Sequence, residues 1–413
     1  MPKHIVISGA YTISSAGDDA GLIVLTQHLR EQVGNDTRFT VLARHPSRQF
    51  AQQYKVCVEP NLEYPSRAES AGRSLRGCNP DDSPAEMERI LRLFASADLL
   101  VLGAGNFLNE NSIGFMRGML ARFCLKTWLA DWVGLPVMLY GLSASPLSQP
   151  YACRAAEWML RRAAAVTFRE HASPEILQAA GVRLPAYQVL PDPVFGMPKA
   201  PPGRELELLR QEAMPAPCGP RLAVALRPTG WPDDRNRAYL ALMATCVERW
   251  LAADSTRDAI FIPQCTYAVE GVATDDRLVA EAVASLVSPR LQSRLHRVRG
   301  SWSPPDTECF YRTATAAFTI RLHGAAFALR CGVPVAAVAY EPKVSGMLDS
   351  VACPDSWRLP LNASADRICA VLDSIVKTPE SVMGSIMGSI QARIAEHARL
   401  IPQYAAIARG VMR

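Results

Sequence analysis

The sequence predicts an α/β protein built from two Rossmann-like domains, each with a parallel sheet. Short apolar runs with strand character alternate with helical segments along most of the chain, which is the element order of a parallel sheet covered by helices. This alternation stops in a proline-rich segment, residues 196–220, and then starts again. The length of 413 residues also suits two domains better than one.

The first half opens with a buried strand over residues 4–8, a polar loop, and a helix over residues 20–33. Gly17, Asp18 and Asp19 lie at the turn into that helix, so strand, loop and helix N-terminus form a candidate ligand site. A capping role explains either aspartate equally well. The Gly-x-Gly-x-x-Gly fingerprint of dinucleotide-binding proteins is absent.

A second glycine-bearing segment follows the helix predicted over residues 85–95. Within the segment 98–107, a buried strand opens into a small-residue loop that contains Gly103 and Gly105 and ends at Asn106. The glycines allow a ligand to approach the backbone closely, but tight helix-sheet packing accounts for them equally well. Both uses remain open from the sequence.

Arg169 lies at the end of a strand in the segment 165–170. A cation at this position either faces a ligand or pairs with Glu170 and neighbouring acids, and chemistry alone slightly favours the pairing. Irregular loops at 61–84 and 264–276 are expected to shape a substrate pocket.

In the second half, a strand beginning at residue 221 ends at Arg227. Apolar runs at 314–320 and 333–339 then bracket a helical segment, with Arg321, His323 and Lys343 beyond the strand ends. The carboxyl edge of a parallel sheet is where ligands bind. Two permanent cations and a histidine suit a small polyanion that gains or loses a proton. Two surface charges and a histidine at a helix start would produce the same sequence pattern.

Composition excludes several classes of protein. The formal net charge of +5 is mild and fits an anionic substrate or lipid surface better than nucleic acid. The eleven cysteines include no Cys-x-x-Cys pair, so neither a zinc site nor a disulfide framework is predicted. With no long apolar run and no basic leader, the predicted location is the cytoplasm, with the inner face of the membrane as an alternative.

These observations divide the chain into an N-terminal domain (1–195), a linker (196–220), a C-terminal domain (221–378) and a helical tail (379–413). For the tail, core or domain-bridging packing is favoured over a membrane-surface helix. Two such domains facing a central cleft form the GT-B layout, which is the predicted fold.

Several motifs occur in an order that resembles the polysaccharide pyruvyl transferase family. In the first half, Gly17-Asp18-Asp19 is similar to its Gly-Asp-Glu loop, and Gly103-Ala104-Gly105 to its glycine triplet. In the second half, the matching elements are Arg227-Pro228, Arg321-Leu322-His323, Gly332-Val333-Pro334 and Tyr340-Glu341-Pro342-Lys343. The family's Arg-Asp pair after a strand is similar to Arg169-Glu170. The departures from the family pattern are alanine in the glycine triplet and acid swaps at Asp19 and Glu170.

The resemblance implies transfer of the pyruvyl group of phosphoenolpyruvate to two hydroxyls of a sugar, in a glycan or glycolipid precursor, with release of phosphate. It places phosphoenolpyruvate in the C-terminal domain and the acceptor in the N-terminal one, and it requires no cofactor or metal. Arg227, Arg321 and Lys343 would hold the donor, with Arg169 as a further candidate, and His323 would carry the proton.

The remaining residues of the predicted site are expected to bind substrate: Gly17, Asp18, Asp19, Gly103, Gly105, Asn106 and Leu322. Two alternatives stay open at this point. One is a GT-B glycosyltransferase that uses a sugar nucleotide, and the other is a non-catalytic relative that binds a glycan or lipid. Nucleic acid is not an expected partner, peripheral membrane association is an open one, and the oligomeric state is undetermined.

Overall fold

The computed structural model of the chain describes residues 2–12, 14–64, 69, 82–109, 118–267 and 274–413. The chain divides into two compact units, which we call unit 1 and unit 2. Unit 1 comprises Met1–Ile13, Asp18–Met197 and His397–Arg413, and unit 2 comprises Ser14–Gly17 and Pro198–Glu396.

Unit 1 is built on a seven-stranded sheet in which neighbouring strands pair in parallel, with the order β3-β2-β1-β4-β5-β6-β7. Apolar residues fill both faces of its central strands, as expected for a sheet covered on two sides. The strands are β1 (His4–Ser8), β2 (Arg38–Ala43), β3 (Cys57–Pro60), β4 (Leu99–Leu108), β5 (Val137–Ala144), β6 (Ala165–Phe168) and β7 (Gln188–Val189).

The helices of unit 1 connect these strands and supply the rest of its core. They are α1 (Ala16–Val33), α2 (Arg48–Tyr54), α3 (Ala85–Ala95), α4 (Gly118–Trp132), α5 (Pro150–Arg162) and α6 (Ala172–Ala179). In α3 the apolar residues recur on one face, and Ile90, Leu93 and Phe94 of that face are buried in the core cluster around β4 and β5.

Unit 2 repeats the plan with a six-stranded parallel sheet of order β10-β9-β8-β11-β12-β13. Its strands are β8 (Arg221–Ala225), β9 (Asp258–Phe261), β10 (Leu295–Arg297), β11 (Ala316–Thr319), β12 (Val335–Val338) and β13 (Arg358–Leu359). Its helices are α7 (Arg204–Gln211), α8 (Asp233–Ala252), α9 (Asp276–Leu286), α10 (Pro304–Arg312), α11 (Leu322–Arg330), α12 (Pro342–Ser350), α13 (Ala365–Lys377) and α14 (Glu380–Leu400).

The last helix, α15 (Pro402–Val411), packs on unit 1. Tyr404 stacks edge-on against Tyr140 of β5 at 4.8 Å between ring centroids, and its hydroxyl donates to the Pro191 carbonyl at 3.0 Å. Gly196 lies against Ile401, where a Cβ would come within 2.6 Å. Helix α15 therefore packs against the core of unit 1.

Several elements differ from the sequence prediction. The small-residue segment at 103–105 is not a loop but the continuation of β4, because Gly103 and Gly105 keep their pairing with β5. Helix α12 was not predicted. Of the loops predicted to shape a pocket, residues 65–68, 70–81 and 268–273 lie outside the described residues.

Within the described residues, no helix is both long enough and apolar enough to span a bilayer.

Candidate functional site

Three of the predicted cations lie at one edge of the unit 2 sheet. Strands β8, β11 and β12 are neighbours, and Arg227 and Arg321 each follow their strand by two residues. Lys343 lies in the first turn of α12, which begins after β12, and its Nζ contacts Glu341 Oε2 at 2.7 Å. Because parallel strands end at the same sheet edge, these three cations belong to the edge where α/β proteins bind ligands.

Arg321 is oriented by a buried carboxylate, Asp276, at the start of α9. The Nε of Arg321 donates to Asp276 Oδ2 at 3.1 Å, and Nη2 donates to Oδ1. Burial lowers the pKa of Arg321, but the charge and hydrogen bonds of Asp276 outweigh burial and raise it overall. This two-point contact fixes the guanidinium plane, and the described residues provide no acceptor for Nη1.

Arg227 is held by two tyrosines. Its Nη1 donates to the Tyr340 hydroxyl at 2.6 Å, and its backbone carbonyl accepts from the Tyr239 hydroxyl at 3.2 Å. Burial raises the pKa of Tyr239, while the positive charges of Arg227 and Arg321 oppose that rise. Both guanidinium groups therefore lie close enough to the Tyr239 hydroxyl to lower its pKa.

His323 lies in the first turn of α11, with its ring against the backbone of Gly17. A Cβ on Gly17 would come within 1.8 Å of His323 Nδ1. The backbone N–H of Ala16 donates to the Gln264 carbonyl at 2.8 Å, which attaches this short segment to the loop after β9. Gly17 was predicted on the acceptor side, but it belongs to unit 2 and borders the predicted proton carrier.

The other two residues of this helix start face inward. A Cβ on Gly324 would meet Thr319 Oγ1 at 2.6 Å and Ala225 Cβ at 2.9 Å, so this glycine lets α11 pack on the strands. Leu322 is also buried, so the structure gives it a packing contact at the edge of the site.

Asp18 and Asp19 lie in unit 1, in the first turn of α1. Asp18 is half-buried, whereas Asp19 is 5% exposed. Burial raises the pKa of Asp19, and the neighbouring charge of Asp18 raises it further. Asp19 Oδ1 has no hydrogen-bond partner among the described residues. A side-chain hydrogen bond with Tyr54 works against this rise. A carboxyl group whose pKa is raised in this way is a candidate general base.

Gly103 and Gly105 are required by the sheet itself. Their φ angles are 142° and 145°, values that favour glycine. A Cβ on Gly103 would lie 2.0 Å from the Tyr140 carbonyl oxygen, and one on Gly105 would strike a neighbouring phenylalanine ring. Packing therefore accounts for both glycines. Asn106 donates from Nδ2 to Ser145 Oγ at 2.9 Å.

Arg169 takes the structural role that the sequence left open. It is 8% exposed, and its Nη1 donates to Asp192 Oδ2 at 3.0 Å while Nε donates to Ser143 Oγ at 2.6 Å. Glu170 lies 3.7 Å from Nε and accepts from the hydroxyls of Ser143 and Ser173. This buried network links β5 and β6 to the segment after β7 within unit 1.

Two residues of the unit 2 site were not predicted as members of it. Asp276 was predicted only as the end of a polar loop, and Tyr340 only as part of a motif. Neither role can be seen in the sequence, because each depends on a partner that is 45 or 113 residues away. The sequence signal that could have indicated Asp276 is its position directly after a polar loop that follows a strand, as the cations also follow strands. In the described residues, no three His, Cys, Asp or Glu side chains are grouped so that they could hold a metal ion.

Solved structures with the same fold include the following three. HepE from Anabaena, in complex with UDP and glucose, matches with a TM-score of 0.62 at 13% identity over 98% of both chains. UDP-GlcNAc 2-epimerase from Neisseria meningitidis, bound to UDP-GlcNAc, gives 0.56 at 12% identity over 99% of both. Trehalose 6-phosphate synthase from Burkholderia multivorans gives 0.57 at 11%, covering 100% of this chain and 97% of the other.

At these identities the likeness concerns the fold alone, and the predicted GT-B-type fold with two parallel-sheet α/β units is confirmed. No curated protein matches the sequence. The profile of one family, described as polysaccharide pyruvyl transferase, matches residues 16–342. This range begins at the helix start beside His323 and ends at the first residue of α12. The chain therefore belongs to the polysaccharide pyruvyl transferase family.

Proposed function

We propose that this protein transfers the pyruvyl group of phosphoenolpyruvate to two hydroxyls of a sugar, forming a cyclic ketal and releasing phosphate. The observation that carries the proposal is the grouping of Arg227, Arg321, His323 and Lys343 at one sheet edge of unit 2. Phosphoenolpyruvate presents a phosphate and a carboxylate on a three-carbon frame. Several fixed cations are needed to bind both groups at once.

The two arginines suit the two anionic groups. Asp276 fixes the plane of Arg321, and Tyr340 fixes one end of Arg227, so neither guanidinium has to be ordered when the substrate binds. Lys343 adds a compact charge, partly balanced by Glu341. We infer that Arg321 and Arg227 bind phosphate and carboxylate, and that Lys343 helps to neutralise the phosphate as it leaves.

His323 is the proposed proton carrier. Protonation of the methylene carbon turns it into a methyl group and makes C2 electrophilic, so that the first sugar hydroxyl adds there. Phosphate then leaves, and the second hydroxyl closes the ketal. Of the two hydroxyl protons released, one replaces the proton given to carbon and the other remains on phosphate. A single group that both donates and accepts is therefore sufficient.

The acceptor side of the proposal rests on the acids of α1. Asp18 and Asp19 follow Gly17 directly in the chain, and burial raises the pKa of Asp19. A carboxyl group with a raised pKa is a better base toward a sugar hydroxyl than an ordinary aspartate. Arg169 is left out of the donor site, because its Nε and Nη1 already donate to Ser143 and Asp192.

The test is turnover with phosphoenolpyruvate and a panel of glycan and lipid-linked sugar acceptors. We expect phosphate release that depends on the acceptor, together with the methyl resonance of a ketal in the product. A His323→Ala variant should bind phosphoenolpyruvate but lose turnover by about 10²-fold or more, in line with general acid-base catalysis. Full activity of that variant would contradict the assignment.

A sugar-nucleotide glycosyltransferase is the alternative to exclude, because HepE shares this fold and was crystallised with UDP-glucose. The same panel should therefore contain UDP-glucose as donor. Transfer of glucose, or tight binding of UDP in the absence of phosphoenolpyruvate binding, would favour that alternative.

A further inference from the structure

One exposed face of unit 1 combines aromatic and cationic side chains. We call it the α4–α5 face and define it by Trp128 and Trp132 of α4, by the arginines of α5, and by Arg183 beyond α6. Trp128 is 45% exposed and Trp132 is 69% exposed, and their rings stack at 5.0 Å between centroids. Tyr151, at the start of α5, is 55% exposed. Large aromatic side chains exposed together in this way mark an interaction surface.

The cationic part is a groove on α5, lined by four arginines with Trp158 and Glu157. The arginines are Arg154, Arg161, Arg162 and Arg183. An ion pair of 3.2 Å between Arg162 and Asp131 joins the groove to α4, next to Trp132 in the chain. This ion pair places the groove beside the helix that carries the aromatic pair.

The charges of this face favour an anionic partner. Among the described residues, the four guanidinium groups meet two carboxylates: Glu157 pairs with Arg183 at 2.8 Å and with Arg161 at 3.9 Å, and Asp131 pairs with Arg162. Arg154 has no ion-pair partner within the part of the chain that the structure describes. A second copy of the chain on a two-fold axis would bring two such positive surfaces together, which disfavours self-association here.

We propose that the α4–α5 face docks the protein onto an anionic lipid bilayer. Tryptophan and tyrosine prefer the boundary between headgroups and acyl chains, where an amphipathic ring contacts both apolar and polar surroundings. Arginines beside them attract anionic headgroups, each contributing about a fivefold gain in partitioning. The combination supplies the two signals, apolar insertion and charge, that stable peripheral binding needs.

The test is flotation of the full chain with vesicles that contain about 30% phosphatidylglycerol in phosphatidylcholine, compared with pure phosphatidylcholine. We expect binding to the anionic vesicles only, and its loss at about 0.5 M salt. Lipids brominated near the headgroup should quench tryptophan fluorescence in the wild-type chain, a measurement that needs no variant.

Two variants separate the contributions of the face. Trp128→Ser with Trp132→Ser should lose the quenching and most of the binding. Arg154→Gln with Arg161→Gln should reduce partitioning by roughly tenfold or more. Matched controls in unit 2 should bind like wild type, with Leu278→Ser and Leu286→Ser for exposed apolar residues, and Arg367→Gln and Arg393→Gln for charge.

Three outcomes would overturn the proposal. The first is equal binding to neutral and anionic vesicles, or binding to neither. The second is unchanged anionic binding in both folded face variants, with melting temperatures as evidence of folding. The third is binding to a soluble anionic polysaccharide with none to vesicles, which would assign the face to a charged polymer.

Discussion

Gly17→Ala is the substitution that tests most sharply how the proposed proton carrier is positioned. The φ angle of Gly17 is not among the positive ones, so alanine is compatible with the backbone there. The new Cβ would lie 1.8 Å from His323 Nδ1, where ordinary contacts begin at 3.4 Å. The imidazole would have to move by about 1.6 Å, and a misplacement of about 1 Å can cost 10²-fold in rate.

We therefore expect Gly17→Ala to lower kcat for phosphate release by about 10²-fold, with little change in thermal stability. Alanine is a better helix former than glycine by up to about 1 kcal/mol, which works against a loss of stability. The matched control is Gly21→Ala in the same helix, where the nearest atoms to a new Cβ are at 3.6 and 3.9 Å. That variant should retain wild-type activity.

The double variant Gly17→Ala with His323→Ala identifies the cause. If alanine acts by displacing the imidazole, the double variant is no slower than His323→Ala alone. Equal activity of the Gly17 and Gly21 variants would refute the reasoning, and so would additive losses in the double variant.

Three further substitutions test other parts of the structure. Asp276→Asn removes the charge that orients Arg321, so we expect a roughly tenfold rise in KM for phosphoenolpyruvate, and unchanged steady-state kinetics would contradict it. Burial lowers the pKa of Lys126 in the folded protein from 10.5 to about 8. At pH 7 the buried amine is charged and destabilises the fold, and this destabilisation fades as the pH rises from about 8 to 10.5. Lys126→Met should therefore stabilise by about 2–3 kcal/mol at pH 7 in urea unfolding and by much less near pH 10, whereas an equal effect at both would argue against the lowered pKa. Arg221 contacts Asp258 at 2.7 Å through both Nε and Nη2, so Arg221→Leu should lose about 3–5 kcal/mol in the same assay. Replacing both partners by leucine should recover most of this loss, and a double variant as unstable as the single one would contradict the pairing.

The sequence predicted the elements of the fold well because both sheets are parallel and buried. Their strands are short apolar runs, and the helices between them have one apolar face, so the alternation is visible along the chain. The helix at Ala85–Ala95 was predicted with the bounds that the structure has. The segment at 103–105 was mistaken for a loop, because glycine-rich strands look like turns when their pairing is unknown.

What the sequence could not supply were contacts between distant parts of the chain. Gly17 comes to His323 only because residues 14–17 attach to the loop after β9. Asp276 meets Arg321 because β9 and β11 flank β8, an order that periodicity does not reveal. Likewise, α15 is an ordinary amphipathic helix in sequence, and its place on unit 1 depends on Tyr404 packing against Tyr140.

The sequence predicted which residues are charged and lie at strand ends, but not whether each one binds a ligand or pairs with an acid. Arg227 and Arg321 were recognised as cations at strand ends, and they lie at the edge of the unit 2 sheet. Arg169 looked the same in sequence, yet it is buried between Asp192 and Glu170. Whether an arginine at a strand end has a structural or a functional role can be decided only when its acidic neighbours in space are known.

The measurement that tests the central claim most directly is calorimetric titration of phosphoenolpyruvate into the wild-type chain, because it needs no knowledge of the acceptor. We predict binding by wild type and at least a tenfold loss in Arg227→Gln and in Arg321→Gln, with melting temperatures showing that both are folded. Binding of phosphoenolpyruvate that survives both substitutions, or binding of UDP-glucose with none of phosphoenolpyruvate, would contradict the account.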